Sequence, residues 1–342
     1  MDTNPQVSIV IPCYNEENTI KGLLQAITRQ TFPLEKMEVV VVDGISQDGT
    51  LDKIQSFKQE STGLKVRVVE NQKRIIPAAL NIGIREARGE YLIRLDAHSV
   101  PHPEYVARTV AGLDQHLGDN VGGIWKIAPS KNTWIAKSIA AAAAHPFGVG
   151  DAKYRYADTP GEVDTVPFGG FRREYLLKIG GFDESLHTNE DYELNTRIRQ
   201  AGGKLWLDPN IQVQYYSRPN LRQLARQYFR YGWWKVEMLR RYPGSLRWRQ
   251  ALPPLFVLAL LTLGIASLWI HPVGWLLLIV LGIYAAALVL SGFDVALQAG
   301  QPTLLVGVPI VIMVMHLTWG SAFLVSAARL LFKQGKSRDG KR

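Results

Sequence analysis

Cysteine is nearly absent. Cys13 is the only one in 342 residues, which excludes an intrachain disulfide and a thiolate metal cluster and suits a reducing cytosolic setting. The first residues, Met-Asp-Thr-Asn-Pro-Gln, lack the basic and apolar regions of a cleavable signal, so the soluble part is expected to stay in the cytoplasm. Glycine is missing from the first turn, Pro12 to Asn18. A dinucleotide-binding turn needs a Gly-rich loop there to admit a pyrophosphate, which argues against a nicotinamide-dependent enzyme. Charge is scarce toward the C-terminus: from Ala251 to Phe332 only Asp294 and Arg329 carry it.

What charge there is lies unevenly. The chain has a net charge of +9, yet residues 1–216 are slightly acidic. Residues 217–250 hold nine Arg and Lys against one Glu, and the tail from Lys333 to Arg342 is basic again. Positive charge flanking an apolar region fits anionic lipid headgroups and the positive-inside bias, and it disfavours nucleic acid as a partner. The chain therefore divides into a soluble part over 1–216, a basic region over 217–250, an apolar region over 251–332 and a basic, cytoplasmic tail over 333–342.

Short β-branched runs at Val7–Ile11, Val39–Val42, Val66–Val69 and Tyr91–Leu95 alternate with helix-like stretches at Glu16–Arg29, Leu51–Gln59 and Ala78–Ala87. Near-continuous apolar strands between helices predict a parallel sheet covered on both faces, with ligands beyond the carboxyl ends of the strands. Three of those ends carry acids and small polar groups: Asn15-Glu16-Glu17, Asp43-Gly44 and Asp96-Ala97-His98. Asn15 is placed to cap the following helix. Further on, Trp134–Ala144 is Ala-rich, Glu190-Asp191 precede a helical pattern over Tyr192–Gln200, and strand-like runs at Lys204–Leu207 and Gln212–Tyr216 close the soluble part.

From Leu221 to Tyr242 the pattern is a two-faced helix. Leu221, Leu224, Tyr228, Gly232, Val236 and Leu239 fall on one side and Arg222, Arg226 and Arg230 form a row on another, as in a helix lying in a membrane interface. Three apolar segments follow at Leu252–Ile270, Val273–Leu290 and Thr303–Leu331, each near or above the roughly 20 residues that span a bilayer. His271-Pro272 reads as the turn between the first two. Three spans would carry the tail away from the soluble part, against its basic charge; a third segment broken at Pro309 and Gly320, re-entrant or split in two, would reconcile them.

Asp96 closes an apolar strand and is followed by a small residue and His98, a pattern suited to a divalent cation bridging two phosphates. An imidazole ligand favours Mn²⁺ over Mg²⁺. The competing reading is a turn and a helix cap. Glu190-Asp191 are either partners of a helix dipole or the source of a general base, Asp191, worth roughly 10²–10⁴-fold in rate. Gln227 and Arg230, three apart, share a helix face, with Arg230 directed either at a diphosphate or at lipid phosphates.

Taken in order, Val-Ser-Ile-Val-Ile-Pro-Cys-Tyr-Asn-Glu-Glu, Val-Val-Val-Asp-Gly, Leu80-Asn81-Ile82-Gly83, Ala87-Arg88-Gly89-Glu90-Tyr91, Asp96-Ala97-His98, Asn-Glu-Asp and Gln-x-x-Arg-Tyr resemble the family 2 inverting glycosyltransferases. Within them the chain looks closest to the bacterial exopolysaccharide branch of the succinoglycan type. The resemblance covers about residues 5–250. It implies an α/β, GT-A-type nucleotide-diphospho-sugar transferase domain with a Rossmann-like mixed sheet, followed by the interfacial helix and transmembrane helices of a multi-pass inner-membrane protein. It further implies that Pro12, Tyr14 and Glu16 line the nucleoside pocket, Asp43 bonds the base, and Lys73 or Arg74 contacts the nucleotide. Asp96 would bind the metal, Mn²⁺ or Mg²⁺, Asp191 would be the base with Glu190 beside it, and Gln227 and Arg230 would close over the diphosphate. Two positions depart from the pattern: His98 stands where the family has Asp, and Tyr231 where it commonly has Trp.

These features together predict transfer of one sugar from a nucleoside-diphosphate sugar, UDP favoured, to a polyprenyl-diphosphate-linked saccharide; the resemblance implies that the transfer proceeds with inversion. A processive polysaccharide synthase is the alternative, although such enzymes carry membrane helices on both sides of the catalytic domain. A sugar-nucleotide pyrophosphorylase would want a glycine-rich basic first loop. A silent nucleotide-binding scaffold has no use for both Asp96 and Asp191.

Overall fold

The computed structural model describes residues 4–60, 63–186 and 188–339, and the chain forms two compact units. The first comprises residues 1–126 and 153–215, the second residues 127–152 and 216–342. Residues 127–152, which the sequence reading keeps inside the soluble part, thus belong with the apolar helices.

The first unit is built on a sheet of β1 (Val7–Cys13), β2 (Met37–Asp43), β3 (Lys65–Glu70), β4 (Tyr91–Arg94), β5 (Val100–Pro101), β6 (Asn120–Pro129), β7 (Gly161–Glu162), β8 (Gly170–Arg172) and β9 (Leu205–Ser217). Among the described residues its order is β3-β2-β1-β4-β8-β6-β9-β5, with β7 also on β9. The first four strands run parallel; β8 pairs antiparallel with β4 and β6. The two predicted runs at 204–207 and 212–216 are one continuous strand, β9.

Period-2 alternation explains why β1 and β2 read as unbroken apolar runs. Ile9, Ile11, Val39 and Val41 enter one core layer with Leu23, Ile27, Ile54 and Tyr105. Val10, Val40 and Val42 enter the opposite layer with Leu80, Ile84, Leu194 and Ile198. Both faces are covered, so neither can be polar.

One close approach in this sheet admits no side chain. A Cβ on Gly123, in β6, would lie 1.6 Å from the carbonyl oxygen of Ile211 in β9. No rotamer change relieves a clash with backbone. Gly123→Ala is therefore expected to destabilise the first unit by about 3 kcal/mol or more, read as a lowered midpoint in chemical denaturation.

The second unit is helical. Trp134–Ala144 and Leu221–Arg241 pack with three long helices, Trp248–Ala266, His271–Ala299 and Leu304–Asp339. The three are long and apolar enough to cross a membrane, the last counted over Leu304–Phe332. The turn between the first two lies at 267–270, and His271-Pro272 instead opens the second helix, where a proline's missing N–H costs nothing.

The expected break at Pro309 and Gly320 is absent: Leu304–Asp339 is one helix. Both positions serve close crossings. A Cβ on Gly320 would meet the carbonyl oxygen of Pro253 at 2.5 Å, and one on Gly292 would meet that of Leu305 at 2.6 Å and Pro309 Cδ at 2.8 Å. Small residues let apolar helices approach backbone to backbone.

Leu221–Arg241 is capped by Asn220, whose Oδ1 accepts from Gln223 N at 2.9 Å. Its buried face differs in part from the predicted one: Leu224, Gly232 and Val236 are joined by Gln227, Lys235 and Met238, while Leu221, Tyr228 and Leu239 are half-buried. That face lies on the third long helix, where a Cβ on Gly232 would come within 2.4 Å of Trp319 O. Arg222, Arg226 and Arg230 are all exposed.

Candidate functional site

The parallel register aligns Cys13, Asp43 and Glu70, so the loops after β1, β2 and β3 leave the sheet at one edge. Each contains a non-glycine residue at positive φ: Asn15 at 54°, Ile45 at 63° and Arg74 at 54°. For β-branched Ile45 this is a strained conformation, of the kind that concentrates at functional sites.

The first two loops are laced together. Asn15 Oδ1 accepts from Gln47 N at 2.8 Å, its own N donates to Ser46 Oγ at 2.9 Å, and Glu17 Oε2 accepts from Gly49 N at 2.9 Å. Asn15 is thus a cross-link rather than the expected helix cap; the helix begins at Ile20. Asp43 is buried and spends both oxygens on Ser46, accepting from its N at 2.9 Å and its Oγ at 2.5 Å. Pro12 pairs with Val42 at the strand ends, and exposed Tyr14 lies against Gly44. The buried Cys13 thiol is pushed far up by desolvation and by Asp43 and Glu16, which removes it as a nucleophile.

Glu16 reaches across to the end of β4, with Oε1 3.1 Å from His98 Nδ1. Lys73 donates to Glu184 Oε2 at 2.6 Å, and Asn81 Nδ2 donates to Glu184 Oε1 at 3.0 Å, so Lys73 is engaged by a carboxylate. Arg74 is exposed at the same edge. Gln227 and Arg230 belong to the second unit. There Gln227 donates to Tyr231 Oη at 2.9 Å and Arg230 is exposed.

The densest polar chemistry surrounds a residue that the sequence reading passed over, Arg94. Its side chain is 3% exposed. Nε and Nη2 donate to Asp96 Oδ1 at 3.2 and 3.0 Å, Nη2 donates to Glu190 Oε1 at 3.1 Å, and Nη1 donates to Asp191 Oδ1. The Phe168 ring lies 5.5 Å from Cζ, and Phe168 N donates to Asp191 Oδ2 at 3.4 Å. Phe168 at φ 61° and Asn189 at φ 69° add two more strained residues around these acids. The overlooked signal was a cation in an otherwise wholly apolar strand, two residues before Asp96.

The topology explains the convergence. β8 returns antiparallel to β4, pairing Ile93 with Gly170, so Phe168 and Gly169 arrive beside Arg94 and Asp96. The helix Glu190–Gln200 presents Glu190 and Asp191 in its first turn, with Asn189 at its N-cap. The run before it includes His187, which lies outside the described residues.

Three carboxylates share one guanidinium. Burial alone would lower the Arg94 pKa, but Asp191, Asp96 and Glu190 outweigh it and keep the group protonated. Asp191 moves the opposite way. Desolvation, reinforced by Glu190 and Asp96, outweighs Arg94 and raises its pKa to about 7. A carboxyl group with that pKa can hold or release a proton at neutral pH, as a general base requires.

A parallel half-sheet whose loops open at one edge, joined to an antiparallel half that returns acids to that edge, is a GT-A-type fold. The mannosyltransferase PcManGT from Pyrobaculum calidifontis, solved with GDP-Man and Mn²⁺, superposes with a TM-score of 0.62 at 22% identity, covering 91% of this chain and 88% of that one. The profile described as Glycosyl transferase family 2 matches residues 8–180. The chain is 31% identical over 323 residues to the succinoglycan biosynthesis protein ExoA of Rhizobium meliloti, covering 94% of each. It is 28% identical over 317 residues to a dolichyl N-acetyl-alpha-D-glucosaminyl phosphate 3-beta-D-2,3-diacetamido-2,3-dideoxy-beta-D-glucuronosyltransferase of Methanococcus voltae, covering 91% of this chain and 93% of that protein. The protein belongs to glycosyl transferase family 2 and is a glycosyltransferase.

Proposed function

We propose that the protein transfers one sugar, with inversion, from a nucleoside-diphosphate sugar, UDP favoured, to a polyprenyl-diphosphate-linked saccharide during exopolysaccharide or cell-surface glycan synthesis. The observation that carries this reading is Asp191, a carboxyl group with a pKa near 7 held at the same sheet edge as Asp96. Asp191 takes the proton of the acceptor hydroxyl as that oxygen attacks the anomeric carbon. The nucleoside diphosphate leaves on the opposite face, which is what inverts the configuration.

The nucleotide lies on the laced loops at Pro12, Tyr14, Glu16 and Asp43. Arg74, free of carboxylates among the described residues, contacts its phosphates; Lys73 does so only by leaving Glu184. The family resemblance also assigns Gln227 and Arg230, which belong to the second unit, to the diphosphate.

A divalent cation, Mn²⁺ or Mg²⁺, suits the surplus of negative charge that three carboxylates leave around one guanidinium. Among the described residues no three His, Cys, Asp or Glu side chains are grouped to cage a metal. The residues that would hold such an ion are Asp96, whose Oδ2 is clear of hydrogen bonds among the described residues, and His98. When bound, such an ion neutralises charge on the departing diphosphate.

The acceptor reading rests on three apolar helices carried by the same chain as the transferase unit, and on the dolichyl phosphate in the name of the Methanococcus relative. The protein then sits in the inner membrane with its transferase unit on the cytoplasmic side, and Arg222 and Arg226 meet anionic lipid headgroups. Purified enzyme in nanodiscs, offered a panel of nucleotide sugars and polyprenyl-linked acceptors, is expected to extend the acceptor by one residue. A ladder of longer products would replace this reading with a processive one.

A further inference from the structure

Arg94 has no part in the chemistry just described, yet its surroundings are built around it. Its backbone is fixed on both sides: it pairs with Val10 of β1, and its N donates to Gly169 O at 3.1 Å. The guanidinium leaves this rigid strand and meets acids from two other places in the fold, Asp96 in the loop that follows and Glu190 and Asp191 on a separate helix. Asp191 is consequently held at both oxygens, Oδ1 by Arg94 and Oδ2 by the Phe168 amide, while the Phe168 ring packs against Arg94.

We propose that Arg94 is a positioning residue for transfer: its planar fork sets the orientation of the Asp191 carboxylate and keeps it in register with Asp96. This rests on the reading of Asp191 as the base. A helix turn on its own does not fix a side-chain carboxylate, because rotation about the Asp χ angles re-aims the oxygens. A fork anchored in the central strand removes that freedom. The inward acids also need a cation that stays charged at any working pH, and a guanidinium does so. Lysine would supply the charge from a single nitrogen, without the fork that engages three acids at once.

The test compares full-length Arg94→Lys, Arg94→Ala and Asp191→Asn in nanodiscs. Arg94→Lys is expected to lower kcat by about 10–100-fold, since small misplacements of a catalytic group reach that scale. The loss should fall chiefly on kcat, with the smaller change in the donor KM that follows from Arg94 also holding Asp96. Millimolar guanidinium should recover part of the kcat lost in Arg94→Ala; should that variant not fold, Arg94→Lys decides alone. An inactive Asp191→Asn beside an Arg94→Lys of wild-type kcat overturns the positioning role and leaves the base in place. A loss in Arg94→Lys matched by an equal fall in folded protein also overturns it, in favour of a structural role. An active Asp191→Asn overturns the base itself and the proposal with it.

Discussion

Asp191→Asn is expected to abolish sugar transfer while leaving nucleotide binding close to wild type. The amide keeps the size of the carboxyl group, and its one oxygen can still accept from either Arg94 or the Phe168 amide, so the local fold has no steric reason to change. It loses one of those two hydrogen bonds and, with its charge, the ability to take a proton. General-base catalysis contributes roughly 10²–10⁴-fold, and a loss on that scale should appear in kcat with little change in donor affinity. The check is transfer rate beside isothermal titration with the nucleoside diphosphate. Unchanged turnover would remove Asp191 from its role.

The pH profile offers an independent reading of the same group. The base works deprotonated, and its pKa is raised to about 7 by burial and by the neighbouring carboxylates. Accordingly kcat/KM, which reports the free enzyme, should fall as pH drops below about 7. Glu190→Gln removes one of the charges that raise this pKa, so the acid limb should move to lower pH. A shift to higher pH would contradict the electrostatic account.

Asp96→Ala should eliminate metal-dependent nucleotide binding. Asp96 is held at one oxygen by Arg94, and its second oxygen remains clear among the described residues. A cation that meets the protein chiefly through this carboxylate has no comparable ligand to replace it. The expected result is loss of the Mn²⁺- or Mg²⁺-dependent gain in affinity for the nucleoside diphosphate, measured by titration with and without chelator. Wild-type metal dependence in this variant would refute the assignment. His98→Ala should have the smaller effect, because its Nδ1 is engaged by Glu16.

Part of the candidate site's placement in the fold is legible in the sequence. Apolar runs ending in Asp43 and Asp96 place both at strand ends, and parallel strands bring those ends to one edge. Glu190-Asp191 were legible as acids at a helix start, but not as neighbours of Asp96. Arg94 stood out only as a lone cation in an apolar strand, and such a cation gives no sign of its partners. Its contact with Asp191 spans 97 residues and depends on β8 folding back along β4.

Among the apolar helices the errors were of a different kind. Pro309, Gly320 and His271-Pro272 look like breaks when only propensity is weighed. In the packed unit the glycines mark where another helix's backbone comes too close for a side chain, and Pro272 stands in a first turn, where it is tolerated. Likewise the Ala-rich Trp134–Ala144 was correctly placed as a local feature, yet it belongs to the second unit.

By itself the sequence determined the alternation of strands and helices, the two-sided burial of the sheet, the apolar C-terminal helices and the acids at the strand ends. Each of these is a local pattern, set by which faces of one element must avoid water. Only the tertiary structure decided that a buried arginine gathers one of those acids, Asp96, with two more from a distant helix, that the first two loops are stitched through Asn15, and that residues 127–152 join the helical unit. Such contacts join segments far apart in the chain, and hydrophobic periodicity carries no information about which distant segment will arrive.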